Sequence, residues 1–289
     1  MSVTPDPNLE MIQLLLCSYV PPKGALEQSD NYFSHYVLLG NPIKNNYFYN
    51  GSFQIAKVTK QNKITVSIHS MRKASSQMFF NIDCNFTFGN FLSSSQSNSS
   101  LNFPTLWSSK SGLCKNDGTS FMPETILQKS VRLDGDQMTI ETKGDIQKAN
   151  VGNLCIPKWC LFEVIKNFQR LPKTEKLSFV LVDEVDEIHT DQTVSFYRKV
   201  KIVPSEIAIK LKELGIDQKT LPNKISKESY ELFGYLHTGK GVIPTVYWLD
   251  KTGRVIFVIS GIEIFALLEG DISQWGFDYL KVPASKVGQ

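Results

Sequence analysis

Hydrophobic and polar positions alternate with a period of two through much of the first half of the chain. Ile64, Val66 and Ile68 alternate with Thr65, Ser67 and His69, and Phe80, Ile82, Cys84, Phe86 and Phe88 alternate with Asn81, Asp83, Asn85 and Thr87. Successive side chains of a strand point to opposite faces, so each run has one oily and one polar face, as in antiparallel sheets. The stretch 53–58 turns through Lys60, Gln61 and Asn62 into Ile64 and reads as a hairpin. Strand pattern returns at 177–182, 194–203, 242–249, 254–259 and 262–268. Asp250-Lys251-Thr252-Gly253 between two of these runs predicts a tight turn, because Gly supplies a positive φ.

Helical spacing is rarer. Near the N-terminus Asp6 caps, Pro7 takes the first helical position, and Leu9, Ile12 and Leu16 share a face, giving a helical arm over residues 1–20. Pro157 opens a stripe of Trp159, Leu161, Phe162, Ile165 and Phe168, which predicts a helix over 157–169. A further helix is expected at 205–214, where Ile207, Leu211 and Leu214 align before Gly215. Residues 92–103 form a Ser-rich, mobile loop within the sheet.

Some ten strands with interspersed helices do not fit a doubly wound βαβ fold. The expectation is a mainly β, α+β protein: one domain over residues 1–289, with a large twisted antiparallel sheet or partial barrel around the 157–169 helix. In outline such a sheet resembles the large half-barrels that hold lipids or lipoprotein tails.

Charge and cysteine content narrow the setting. The 289 residues carry 31 Lys+Arg and 28 Asp+Glu, a balance that argues against a nucleic-acid partner. No apolar run is long enough to span a membrane, and the first 22 residues lack the Lys or Arg of a secretory signal. The five cysteines, Cys17, Cys84, Cys114, Cys155 and Cys160, are an odd set without zinc-site spacing, so free buried thiols in the cytoplasm are expected.

Two motifs invite functional readings and fail on physical grounds. Gly234-Tyr-Leu-His-Thr-Gly239-Lys240-Gly241 approaches a phosphate-binding loop, yet Gly241 replaces the metal-ligating hydroxyl. Pro244 and its β-branched neighbours also favour extended chain where a helix should begin. Asp183, Glu184, Asp186, Glu187, His189 and Asp191 could attract a cation but lack the calcium-loop spacing, so a solvated hairpin tip without metal is expected.

With no hydrolase or zinc-protease signature and no cofactor motif, two functions remain. The first is a binding protein for a hydrophobic small molecule or acyl chain, in a cavity lined by Trp159, Phe162, Tyr247 and Trp248. The second is a cofactor-independent lyase, isomerase or cyclase using His237, Tyr235, His35 and Tyr36 as acid–base groups in that cavity.

Overall fold

The computed structural model describes residues 4, 6–21, 32–40, 49–60, 63–75, 78–89, 103–115, 119–152, 154–168, 173–183, 187–218, 220–261 and 263–268. Most of the Ser-rich loop, Glu184 and Asp186 lie outside these residues, as do the aromatics Tyr47, Phe48, Trp275, Phe277 and Tyr279.

The first half of the chain is a meander. Its strands are β1 (Tyr32–Gly40), β2 (Tyr49–Lys60), β3 (Lys63–Lys73), β4 (Met78–Gly89), β5 (Phe103–Lys115), β6 (Leu127–Asp134), β7 (Gln137–Thr142) and β8 (Asp145–Asn150). The second half runs through β9 (Cys155–Pro157), β10 (Lys176–Val182), β11 (Ile188–Ile202), β12 (Tyr230–Thr238), β13 (Thr245–Leu249), β14 (Val255–Ser260) and β15 (Glu263–Leu268). All fifteen join in one open sheet of order β8-β7-β6-β5-β4-β3-β2-β1-β15-β14-β13-β12-β11-β10-β9. Every pairing is antiparallel except that of β9 with β10. The sheet curls until β9 lies beside β5, giving a partial barrel.

The strand count exceeds the ten that alternation suggests. Strand β8, Asp-Ile-Gln-Lys-Ala-Asn, is exposed almost throughout and so carries no apolar alternation, while β9 is only three residues long. The central helix is also shorter than its apolar stripe: Pro157 ends β9, Lys158–Cys160 form a 3₁₀ turn, and α3 spans Leu161–Phe168. Proline suits this boundary because it needs no ladder N–H and fixes φ for the turn. The N-terminal arm breaks at Met11 into α1 (Pro7–Glu10) and α2 (Gln13–Ser18), with Asp6 accepting from Asn8 N at 2.8 Å. Helix α4 (Pro204–Glu213) falls where expected.

Helices occupy both faces of the sheet. The 3₁₀ turn and α3 press on the inner face, where Phe53 stacks on Trp159 at 4.9 Å and meets Phe162 at 4.7 Å between ring centroids. Tyr36 and Phe265 complete this cluster, each contacting both Phe53 and Phe162. Helices α1 and α2 cover the outer face of β13–β15: Trp248 Nε1 donates to Asn8 Oδ1 at 2.8 Å, and Tyr19 packs on Phe257. Helix α4 packs on α2. The five cysteines are all buried free thiols, and among the described residues no helix is long and apolar enough to cross a membrane.

A buried charge also ties α3 to the sheet. Glu163, 5% exposed, accepts from Lys57 Nζ of β2 at 2.8 Å and from Lys166 Nζ at 3.5 Å. Such a carboxylate is tolerable because partners surround it, although replacing the whole set by apolar groups need not destabilise.

Phe53 touches Tyr36, Trp159, Phe162 and Phe265 and is fully buried, so Phe53→Ala removes the centre of the inner cluster. The expected loss is about 3–5 kcal/mol of unfolding free energy, read from urea titrations. A loss below about 1 kcal/mol would show that the cluster is not what holds α3 on the sheet.

Candidate functional site

Register across β12–β15 lays two rows of side chains beneath the 3₁₀ turn and α3. Directly opposed residues of neighbouring antiparallel strands project to the same face. One row therefore runs Tyr235, Tyr247, Val258, Phe265, and the next runs His237, Thr245, Ser260, Glu263. The first row is apolar and aromatic; the second is polar throughout. Lys158, Trp159, Leu161 and Phe162 roof these rows over a partly open cavity of about 350 Å³, with Arg72, Asp183 and His189 at its sides. A second cavity of about 430 Å³ adjoins it along the inner face of β4 and β5, lined by Ile82, Cys84, Phe86 and Trp107. Lys158, Trp159 and Asp183 line both cavities.

Cationic groups gather on Trp159. The Arg72 guanidinium lies 5.3 Å and the Lys158 ammonium 5.6 Å from the centroid of its ring, within cation–π range. Arg72 also pairs with Glu263 at 3.4 Å. Trp159 Nε1 is sealed from solvent and has no hydrogen-bond partner among the described residues.

His237 is the most constrained polar group of the site, 4% exposed and packed beside Phe179. Its Nε2 lies 3.0 Å from Oε1 of Gln192, which is itself fully buried. Gln192 Nε2 donates to Thr190 O at 2.7 Å and Lys240 O at 3.0 Å, which fixes the amide orientation. An amide oxygen only accepts, so His237 Nε2 carries the ring proton and Nδ1 is bare. Burial, with repulsion from Lys158 as the lesser cause, pushes His237 down to about 4 and keeps it neutral at physiological pH.

The glycine-rich segment before β13 is explained by these contacts. A Cβ at Gly234 would sit 2.8 Å from the Trp248 ring, and one at Gly239 would sit 2.3 Å from Gln192. Gly241 adopts φ +77° and abuts the His189 ring. The turn leads into β13, where a phosphate-binding loop would open a helix.

At the cavity wall, His189 Nε2 lies 3.3 Å from Asp183 Oδ2 and 3.8 Å from Glu187 Oε2. The three ligand atoms fall within 4.8 Å of one another and could hold a divalent cation; as they stand, the imidazole and the carboxylates partner one another. The tip is thus only partly solvated, since Glu187 is exposed whereas Asp183 and His189 line the cavity.

Of the residues singled out from the sequence, His237, Trp159, Phe162 and Tyr247 come together around the 350 Å³ cavity. Trp248 does not: it neighbours Tyr247 in β13, so strand alternation turns it to the outer face against Asn8. Tyr235 shares the inner face with His237, packing edge-on against Phe196, and burial pushes its hydroxyl up to about 12. Tyr36 donates to Val255 O at 3.0 Å. His35 stands opposite Gln54 and, beyond it, His69 on the outer face, away from His237. The proposed acid–base set is therefore divided between two faces. Sequence reasoning missed Gln192, Arg72, Lys158, Thr245, Ser260 and Glu263. The only available signal was that Thr245 stands two residues before Tyr247 and so shares its face.

The lowered pKa of His237 sets a direction for acid sensitivity. Between its ordinary value of 6.5 and the folded value of about 4, the unfolded chain binds the extra proton, so stability falls as pH drops through this window. The expected contribution is roughly 2–3 kcal/mol lost between pH 7 and 4.5, with half-buried His35 shifted in the same direction. Urea midpoints of the wild type and His237→Gln across that range test this. A slope unchanged by the substitution would mean that His237 does not titrate as the geometry requires.

No protein-family model matches the chain, and no curated protein matches it either. Among solved structures it is similar to the crystal structure of a β-barrel-like protein of domain of unknown function DUF1849 from Brucella abortus, at 10% identity and a TM-score of 0.49, covering 83% of this chain and 96% of that one.

Proposed function

We propose that the protein binds a hydrophobic small molecule or acyl chain in the cavity between α3 and the inner face of β12–β15. The observation that carries this reading is the partly open pocket of about 350 Å³ walled by Trp159, Phe162, Tyr247, Val258 and Phe265, with polar groups along one edge. Concave apolar walls with a few placed polar groups are the usual form of a small-molecule site. Each methylene moved from water into such a space contributes about 0.8 kcal/mol. The adjoining 430 Å³ cavity, which shares Trp159 as a wall, gives a longer chain somewhere to continue.

Acid–base catalysis by His237, Tyr235, His35 and Tyr36 draws less support. His35 faces the other side of the sheet, and a histidine pushed down to about 4 is a weak base at neutral pH.

Val258 stands in the middle of the floor, so Val258→Phe places a ring in the cavity without touching the outer face. With Nile red as an apolar probe, fluorescence titration should show saturable binding to the wild type, weakened at least about tenfold in the variant. Circular dichroism should show an unchanged fold. Undiminished binding by the filled variant, or no saturable binding by the wild type, counts against the proposal.

A further inference from the structure

We infer that the cavity selects a ligand whose apolar body carries a neutral hydroxyl group, which donates to Nδ1 of His237. This rests on the binding reading above and names the chemistry that the site would recognise.

Three observations converge. First, His237 is more than nine-tenths buried, and its hydrogen bond to Gln192 uses Nε2. The Gln192 amide, held by two backbone carbonyls, leaves Nδ1 as a bare acceptor. Second, Nδ1 has no hydrogen-bond partner among the described residues, and the His237 ring lines the cavity. An acceptor at an apolar wall gains most from a donor that enters with the ligand, because water is otherwise its only partner. Third, two other members of the polar row also present acceptors. Thr245 Oγ1 spends its proton on Ile243 O at 3.0 Å, leaving lone pairs, and Glu263 is a carboxylate held by Arg72. A hydroxyl on a ligand lying over Tyr247, Val258 and Phe265 therefore meets acceptors along the neighbouring row.

The same geometry disfavours two alternatives. An ether offers no proton to Nδ1. A carboxylate offers none either and would bring its lone pairs against those of Nδ1 and Glu263, and the Arg72 cation beside them is already paired with Glu263.

Three ligands sharing a naphthalene body separate these cases: 1-naphthol, 1-methoxynaphthalene and 1-naphthoate, titrated calorimetrically into the full chain at neutral pH. The expected order is naphthol first, tighter than the ether by roughly tenfold. In His237→Phe, which keeps a ring beside Phe179, that preference should vanish while the ether binds as before. Because the variant could fold poorly, ¹⁵N spectra of the wild-type histidines give an independent readout. The Nδ1 resonance of His237 should move on adding naphthol and stay with the ether. Equal binding of naphthol and ether, a preference that survives His237→Phe, or tighter binding of naphthoate would overturn the hydroxyl assignment while leaving the cavity reading intact. If none of the three binds, the cavity reading itself fails and takes this inference with it.

Discussion

The pairing of β1 with β15 is the constraint on which the rest of the molecule depends. It joins His35–Gly40 to Glu263–Leu268, strands from opposite ends of the described chain, and so fuses two meanders into one sheet. Closing so long a loop costs about 5 kcal/mol of chain entropy on a simple polymer estimate, before any contact offsets it. The offset comes from the inner face. Tyr36 and Leu38 of β1 project beside Phe265 of β15 and Phe53 of β2, and this joined surface receives Trp159 and Phe162. Without the β1–β15 ladder neither half would offer α3 a complete floor.

That arrangement also explains why a void persists in an otherwise close-packed core. The 3₁₀ turn and α3 are short, and they lie over the middle of a strongly curved sheet rather than filling it. Large rings at Trp159 and Phe162 prop the roof above Tyr247, Val258 and Phe265. Two polar groups in this region are held by side-chain partners: Glu163 by two lysines, and His237 by a glutamine that two carbonyls lock in place. Their geometry is preorganised, as recognition of a particular ligand group demands.

Much of the fold was legible because one face of several strands is wetter than the other. Cys84, Phe86 and Phe88 are buried on β4, while Asn85 between them is exposed, as alternation requires. The site was only half legible, for reasons visible in particular residues. Tyr247 and Trp248 are adjacent aromatics on a strand buried from both sides, so neither burial nor alternation says which one faces the cavity. The covering of the outer face by α1 and α2 removed the polar half of the pattern there. The polar row is harder still, because Thr245, Ser260 and Glu263 become neighbours of His237 only through the registers of three successive ladders. Strand β8 lay below detection because an edge strand exposed on both faces has no hydrophobic period.

The central claim is that the space between α3 and β12–β15 accepts an apolar molecule. The most direct measurement is an anomalous diffraction map from crystals soaked in bromobenzene, whose bromine reports its own position. The account predicts one dominant bromine peak enclosed by Phe162, Tyr247, Val258 and Phe265. Bromine density confined to the protein surface, with ordinary water or nothing in that space, would contradict it.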